Sequence, residues 1–342
     1  MKILVDINHP AHVHFFRNFI QEARSKGHEV MITASRKDIT FHLLKEYHLD
    51  YVNVGSYGKN LFIKLLKIPV LDFSILKIAL KFKPDVFMGI ASHRAAQISW
   101  LLRKKSIIFD DTEHAKYEIF LYKPFASVIA TPACFLRNLG KKQLRYEGYH
   151  ELAYLHPSYF SPDHSILNEL DVTENEKYII MRFISWNASH DEGHKGITLE
   201  NKRKAVEEFS KFGKVFITSE KILPDDLEKY RLHIPFNRIH HALYYSTLLF
   251  GESATMASEC AILGTPAIFV DFNGRSYTSE QEKKYSAVFN FNESQKDQLM
   301  AIDKGIELLK TPDVKKIWKG KREQILKEKI NVTKWMLELI EN

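Results

Sequence analysis

Short apolar runs alternate with helical patterns along the whole chain, and this alternation constrains the fold more than any other feature of the sequence. Strand-like runs separated by amphipathic segments are typical of βαβ units, whose strands pair in parallel. We therefore predict an α/β fold with mostly parallel sheets. The predicted strands are Ile3–Ile7, Val30–Ala34, Tyr51–Val54, Val86–Ile90, Ile107–Asp110, Val128–Thr131, Tyr178–Ile184, Val215–Thr218, Leu248–Phe250 and Ala267–Val270.

One segment interrupts this pattern near the middle of the chain. Around residues 148–162 the pattern breaks into Gly, Tyr, His, Ser and Pro, which predicts a linker. We expect Rossmann-like domains at residues 1–160 and 161–342, with their sheets facing an interdomain cleft. The last helix either belongs to the second domain or packs back on the first. The predicted helices are Phe15–Ser25, Gln295–Leu309 and Val314–Glu341.

Composition and charge narrow the class of protein. The chain has 342 residues, of which 45% are hydrophobic and 27% charged, as in ordinary globular proteins. No apolar run reaches the ~18–20 residues of a membrane span, and Asp6 argues against a signal peptide, so we expect a cytoplasmic location. The net charge of +7 favours anionic partners, namely nucleotide phosphates, a membrane surface or nucleic acid.

The most informative stretch is an apolar strand that leads through a turn of small residues into a helix, at residues 248–266. The turn leaves backbone N–H groups free at the helix N-terminus, where anions bind. Ser253 and Thr255 add hydroxyl donors. Glu259 lies one turn further along the same helix face, where it can accept hydrogen bonds from the hydroxyls of a ribose. The alternative is an ordinary capped helix with a solvated Glu259.

Residues 251–266, Gly-Glu-Ser-Ala-Thr-Met-Ala-Ser-Glu-Cys-Ala-Ile-Leu-Gly-Thr-Pro, resemble the nucleotide-binding helix of GT-B proteins. These include nucleotide-sugar glycosyltransferases and non-hydrolysing UDP-N-acetylglucosamine 2-epimerases. The resemblance is strongest to an uncharacterised bacterial and archaeal family, a domain of unknown function whose core reads Ser-Gly-Thr-Met-x-x-Glu, with Ala254 in place of the glycine. Residues 6–16, 110–115 and 182–191 fit the same family.

The resemblance implies a GT-B fold in which the second domain binds the nucleotide-sugar and the first domain takes the acceptor. It implies no cofactor, because the nucleotide-sugar is a substrate and the relatives generally need no metal. The implied nucleotide-binding residues are Ser253, Ala254, Thr255, Met256, Glu259 and Arg182.

A histidine-rich loop follows the first predicted strand, where open α/β sheets bind their ligands. The resemblance favours His12 as a catalytic residue, and we predict that His9 contacts the sugar or acceptor. A zinc site that includes His14 is one alternative, although no Cys/His partner pair is evident. Helix capping by surface imidazoles is the other alternative.

Three carboxylates and an imidazole follow the very apolar strand at residues 107–109. Such groups are costly at a strand end unless they are paired or functional, and their close spacing pushes their pKa values apart, which suits proton transfer. We predict that Glu113 is the general base, with Asp111 or His114 next. A metal site and a solvated loop with a helix cap are the alternatives.

The segment after residue 181 carries four further candidates. Arg182 would neutralise a diphosphate, and Trp186 would stack on a base or sugar. His190 and Asp191 would bind the sugar or its leaving phosphate. In the alternative, Trp186 packs under the linker and Arg182 pairs with a local acid.

Two more segments are candidates on the strength of the resemblance. Residues 236–241 would form the pocket for the base, unless the His240-His241 pair is only a solvated face. Asp271 and Asn273 follow the strand after the nucleotide helix, and they would bind sugar hydroxyls.

Residues 59–83 carry many lysines among apolar residues, against the single acid Asp72. A basic amphipathic segment can lie on an anionic membrane, near a lipid-linked acceptor. The alternative is an interior helix whose lysines face water. The sequence contains no zinc finger, RNP-type strand or Arg-rich recognition helix, so we expect no nucleic-acid partner.

These features favour a metal-independent glycosyltransferase with a nucleotide diphosphate-sugar donor, a UDP-sugar, that acts in surface polysaccharide or glycolipid synthesis. A UDP-sugar 2-epimerase is the second hypothesis, and it would turn over its donor with no acceptor present. A non-catalytic membrane or nucleic-acid adaptor is the third, and its ligand binding would survive Glu259→Ala.

Overall fold

The computed structural model describes residues 1–56, 61–184, 196–219 and 222–341, without the side chains of residues 61–68. The chain divides into two compact units. Unit 1 comprises Met1–Tyr159 and Lys329–Asn342, and unit 2 comprises Phe160–Glu328. Among the helices of the described residues, none is long and apolar enough to cross a membrane.

Unit 1 is built around a sheet of seven parallel strands in the order β3-β2-β1-β4-β5-β6-β7. Its strands are β1 (Lys2–Ile7), β2 (Glu29–Ala34), β3 (Val52–Asn53), β4 (Val86–Ile90), β5 (Lys105–Phe109), β6 (Val128–Pro132) and β7 (Gln143–Tyr146). Its helices are α1 (Pro10–Ser25), α2 (Thr40–Glu46), α3 (Leu61–Phe82), α4 (His93–Leu101), α5 (Lys116–Tyr122), a short 3-10 helix (His150–Ala153) and, near the C-terminus, α14 (Val332–Glu341).

Unit 2 is built around a sheet of five parallel strands in the order β12-β11-β10-β8-β9. Its strands are β8 (Tyr178–Phe183), β9 (Lys214–Ser219), β10 (Leu248–Gly251), β11 (Ala267–Val270) and β12 (Val288–Phe291). Its helices are α6 (Ile166–Glu169), α7 (Leu199–Ser210), α8 (Asp225–Glu228), a 3-10 helix (Phe236–Arg238), α9 (Ile239–Tyr245), α10 (Ala254–Leu263), α11 (Ser276–Tyr285), α12 (Gln295–Lys310) and α13 (Val314–Glu328).

Two edge strands were not expected from the sequence. Strand β7 reads Gln-Leu-Arg-Tyr and is exposed at Leu144 and Arg145, and β12 reads Val-Phe-Asn-Phe and is half-buried. An edge strand buries less side-chain surface than a central strand, so it needs no continuous apolar run. The central strands have such runs, and their positions were predicted to within a few residues.

The first helix begins earlier than its apolar spacing indicates. It starts at Pro10, which suits the first turn because it needs no N–H there, and His9 Nδ1 accepts a hydrogen bond from the backbone N–H of Ala11 at 3.2 Å. The predicted loop at residues 6–14 is therefore shorter, and His12 and His14 lie on the helix.

The segment predicted as a linker is largely packed into unit 1. Tyr149, Leu152 and Leu155 are fully buried, and the 3-10 helix between them contacts α1 and α14. Its Gly, Pro and Ser content reflects tight turns in a folded segment.

The predicted helix at residues 314–341 is two helices. The chain leaves its helical path near Asn331, whose side-chain Oδ1 accepts a hydrogen bond from the Lys334 N–H at 3.0 Å, while the Ile330 N–H donates to the Glu147 carbonyl. An Asn side chain that binds a first-turn amide starts a new helix. Helix α13 belongs to unit 2, and α14 packs against α1 in unit 1.

A buried ion pair joins the first strand of unit 1 to helix α4. The Arg94 guanidinium contacts both Asp6 carboxylate oxygens at 2.9 Å, and both side chains are fully buried. Ser92 and Thr33 also donate to this carboxylate, at 2.5 and 2.9 Å. The charge of Asp6, placed at the end of a central strand, is therefore fully satisfied within the protein.

Removing Arg94 tests this pair. We expect Arg94→Met to lower the free energy of unfolding by roughly 3–5 kcal/mol, because it leaves an uncompensated buried carboxylate. The control is Lys104→Met, which removes an exposed partner of Asp85 and should cost less than about 1 kcal/mol. Denaturant unfolding measures both variants, and equal losses would show that the buried pair has no special weight.

Candidate functional site

The turn between β10 and α10 requires a glycine. A Cβ on Gly251 would lie 2.1 Å from the Arg182 carbonyl oxygen on the neighbouring strand β8, which no other residue could tolerate. Beyond the turn, Ser253 caps α10 by accepting a hydrogen bond from the Met256 N–H at 3.3 Å. The helix ends at Gly264 in a left-handed conformation (φ 78°). The local sequence thus sets both ends of the helix.

The predicted phosphate-binding residues meet at the start of α10. Ser253, Thr255 and Met256 are half-buried there, and Ala254 is buried. The first backbone N–H groups of a helix have no acceptor within it, and they point towards its N-terminus with the positive end of the helix dipole. This end of α10 can therefore bind an anion.

Arg182 lies beside this turn. The sheet register places it opposite Gly251, and its carbonyl accepts the Glu252 N–H at 2.9 Å. Its guanidinium donates to Thr218 Oγ1 on β9 at 3.2 Å. The cation thus lies at the carboxyl edge of the unit 2 sheet, in the same row as the turn.

Sequence reasoning missed Glu252, which holds three parts of unit 2 together. One carboxylate oxygen accepts the Ile184 N–H at 2.6 Å, and the other accepts the Ile197 N–H at 2.7 Å. The Lys202 ammonium on α7 lies 3.1 Å from the carboxylate, and both side chains are buried. The side chain of Glu252, the residue before the Ser253 cap, therefore links this turn to the end of β8 and to the start of α7.

Glu259 is buried, so the alternative of a solvated carboxylate is wrong. It is 4% exposed, and its Oε1 lies 2.9 Å from Nε2 of His240, which is itself 1% exposed. Because a carboxylate only accepts hydrogen bonds, Nε2 carries the proton. The proposal of a solvated His240-His241 face is wrong for His240 as well, since this ring orients the acid on α10.

Two other predicted parts of this unit make contacts within it, and their roles towards the sugar and the base stay predictions. Asp271 accepts hydrogen bonds from the Asn273 and Gly274 N–H groups and pairs with Arg275 at 3.3 Å, while Asn273 is exposed. In the segment at 236–241, Arg238 pairs with two acids of unit 2, Asp163 and Glu169. Trp186, His190 and Asp191 lie outside the described residues.

In unit 1 the structure adds a histidine that the sequence did not single out. His150 Nδ1 lies 3.1 Å from Asp111 Oδ2, and the Phe15 ring packs on the imidazole with 4.5 Å between ring centroids. Burial lowers the pKa of His150, but Asp111, Glu151 and Asp110 outweigh burial, so its pKa is raised. His150 lies in the segment that was predicted as a linker, so the sequence analysis gave it no role.

The pKa of His12 moves in the opposite direction. Burial lowers it well below its ordinary value, and the positive potential of His9, Lys37 and His150 lowers it further, against Asp111. Near neutral pH His12 is therefore an uncharged imidazole on α1. The Asp111 carboxylate acts on the pKa of both His12 and His150.

The remaining histidines of the first helix have separate roles. His9 caps α1, and His14 lies 3.3 Å from the Tyr47 hydroxyl. Within the part of the chain that the structure describes, no three His, Cys, Asp or Glu side chains form a candidate metal-ligand set.

The loop after β5 separates its acids into different environments. Burial raises the pKa of Asp110 to about 7, although hydrogen bonds from Tyr122 and Thr112 oppose this shift. Glu113, the predicted base, accepts the Leu136 N–H through Oε1 at 3.2 Å, and His114 is exposed. Of the predicted catalytic residues, Asp111 and His12 come together.

Breaking the Glu252–Lys202 pair tests the role of Glu252. We expect Glu252→Gln to lower the free energy of unfolding by about 3–5 kcal/mol, because Lys202 would keep a buried charge without its partner. Adding Lys202→Met should recover part of this loss, a coupling that thermal and denaturant unfolding of the single and double variants would measure. The exposed Arg203–Asp226 pair supplies the control, since Asp226→Asn should cost about 0.2–1 kcal/mol. Strictly additive single losses would contradict this role.

Solved structures with a similar fold include a 2-epimerase and a glycosyltransferase. The UDP-GlcNAc 2-epimerase from Neisseria meningitidis bound to UDP-GlcNAc has a TM-score of 0.66 and 13% identity, covering 100% of both chains. The Streptomyces sp. SF2575 glycosyltransferase SsfS6 has a TM-score of 0.62 and 12% identity, covering 100% of both chains. These similarities confirm the predicted GT-B fold.

The proteins that this chain matches by sequence have no assigned activity. The uncharacterised protein MJ0665 of Methanocaldococcus jannaschii is 25% identical over 284 residues, which cover 78% of this chain and 81% of that protein. A family model described as "Protein of unknown function (DUF354)" matches residues 1–280. The chain therefore belongs to the DUF354 family, the uncharacterised GT-B group that its motifs resemble.

Proposed function

We propose that this protein is a glycosyltransferase that uses a UDP-sugar donor without a metal. The observation that carries the proposal is the β10–α10 turn, where Gly251, the Ser253 cap and Arg182 share one edge of the sheet. Unit 2 would bind the donor, and unit 1 would supply the proton-transferring groups. A solved epimerase of this fold contains UDP-GlcNAc, which supports a uridine nucleotide.

The chemistry of unit 2 suits the departure of a nucleoside diphosphate. When the sugar–phosphate bond breaks, negative charge develops on the diphosphate. The amides at the start of α10 and the Arg182 guanidinium are fixed donors, and fixed donors stabilise such charge without a metal. Glu259, oriented by His240, would accept the ribose hydroxyls once the nucleotide is bound.

Ser253→Asp tests where the diphosphate binds. Asp is also a good N-cap, so α10 should remain folded while a carboxylate faces the phosphates. Like charges about 4 Å apart near a protein surface repel by about 4 kcal/mol, and about 1.4 kcal/mol changes affinity tenfold. We therefore expect at least a roughly tenfold weaker affinity for UDP by calorimetry. The matched control is Ser253→Asn, which keeps the cap and adds no charge. Equal affinities of the two variants for UDP would show that the diphosphate does not bind at this turn.

A UDP-sugar 2-epimerase is the second candidate. The observation that favours it is the pair of imidazoles on which Asp111 acts, since burial of His12 and the acids around His150 shift their pKa values in opposite directions. Groups whose pKa values are separated in this way can act as an acid and a base. UDP-GlcNAc incubated alone in D2O separates the two reactions, because only an epimerase would exchange hydrogen for deuterium at C2.

The acceptor would be a lipid-linked or polysaccharide sugar at the cytoplasmic face of an anionic membrane. Helices α3, α4 and α5 share one packed layer of unit 1, with a common core beneath them. Their outer side exposes large apolar side chains next to lysines, including Lys77 beside the Phe73 ring. Apolar and basic groups together are typical of a surface that lies on anionic lipid. The exposed apolar residues are Phe73, Leu80, Trp100, Leu101, Tyr117 and Phe120.

Vesicle binding tests this surface. We expect the protein to sediment with phosphatidylglycerol vesicles and not with phosphatidylcholine vesicles, and to lose binding at high salt. Trp100→Ser combined with Phe120→Ser should weaken the binding severalfold. Ile222→Ser, at a more exposed apolar site in unit 2, should have no effect. Equal sedimentation with both vesicle types would contradict an electrostatic membrane contact.

A further inference from the structure

His150 and Asp111 form a buried carboxylate–imidazole pair whose polarity is fixed. A carboxylate only accepts hydrogen bonds, so the 3.1 Å contact between His150 Nδ1 and Asp111 Oδ2 requires the proton on Nδ1. In the neutral ring, Nε2 then carries a lone pair and can accept a proton. An imidazole oriented in this way by an acid has the geometry of a general base.

The accepting atom of this pair has no protein partner among the described residues. His150 is 7% exposed, and its Nε2 is buried without a hydrogen bond. The Tyr146 hydroxyl, 3% exposed, and His12 Nδ1, 9% exposed, are in the same condition within the described chain. Buried polar atoms are nearly always hydrogen-bonded, so three such atoms around one carboxylate indicate a site for a hydroxylated ligand.

The three groups share one electrostatic environment. Asp111 acts on the pKa of His12, His150 and Tyr146, which places all three near its carboxylate. The Asp111 side chain is still 20% exposed, so the cluster reaches the surface through this residue.

We propose that His150 is a catalytic residue, the general base that removes the proton from the acceptor hydroxyl, and that Asp111 holds its ring for this role. The inference rests on the proposed glycosyltransferase function. The proton passes from the acceptor oxygen to His150 Nε2. The acceptor oxygen forms a bond to the anomeric carbon as the bond from that carbon to the phosphate oxygen breaks, and its electron pair leaves with UDP.

This assignment replaces the base predicted from the sequence. Glu113 already uses Oε1 for the Leu136 N–H. His150 is raised in basicity by Asp111, Glu151 and Asp110, whereas burial and the neighbouring His9, Lys37 and His150 make His12 a weaker base. Tyr146 and His12 would hold the acceptor hydroxyl group in place.

The first experiment compares His150→Gln with the wild-type protein. The probe is UDP release from UDP-GlcNAc with water as the acceptor, and calorimetry measures UDP affinity in parallel. We expect the rate to fall by about 100-fold or more, in the range that general bases contribute, with UDP affinity unchanged. The control is His42→Gln, an exposed imidazole on α2, which should keep the wild-type rate.

A second set of variants separates a catalytic from a structural role. The neutral ring is the active form, so we expect activity to rise with pH through the raised pKa of His150. Asp111→Asn removes the main group that raises this pKa, so the rise in activity should move to lower pH. His150→Ala should lose activity and regain part of it when free imidazole is added. Neither effect is expected if the pair only stabilises the fold, and Asp111→Asn also serves if His150→Gln does not fold.

The outcomes distinguish this inference from the function on which it rests. A wild-type rate in His150→Gln, with wild-type UDP affinity, would overturn the role of His150 and leave the proposed function intact. A wild-type protein that neither binds UDP nor releases it from UDP-GlcNAc would overturn the proposed function, and the role of His150 with it.

Discussion

All strands of each sheet run parallel, and the rest of the structure depends on this arrangement. Parallel strands end at the same edge, where helices begin, so the polar residues that follow each strand collect there. Asp6 lies near the end of one strand of unit 1, Asp111 follows another, and Glu252 follows a strand of unit 2. Each edge therefore concentrates carboxylates beside apolar cores, and each carboxylate must find a partner.

The structure gives each of these three acids, and also Glu259 on α10, a basic partner. Arg94 binds Asp6, His150 binds Asp111, Lys202 binds Glu252, and His240 binds Glu259. Two of the partners are a guanidinium and an ammonium, and these pairs fasten strands to helices. The other two are imidazoles, which can exchange protons or fix a tautomer, and these pairs lie where the substrate chemistry is proposed. The type of partner thus separates scaffold from site.

The sequence sufficed for the central strands and for the β10–α10 turn, because a buried run, a glycine and a capping serine lie close together in the chain. It did not suffice for β7 and β12, whose edge positions leave them half-exposed. It also missed the partners of Asp111 and Glu252, since His150 and Lys202 are distant in sequence and are brought close only by folding. The interrupted apolar pattern of residues 148–162 gave no sign that the segment is packed.

The return of α14 to unit 1 determines when that unit can form. The ring of Trp335 stacks on Tyr146, and Thr333 Oγ1 donates to the Ala153 carbonyl, so α14 covers the segment that carries His150. During synthesis on the ribosome, unit 2 can therefore be complete before α14, the last helix of unit 1, has been made. The residues around Asp111 reach their final arrangement only after α14 has emerged.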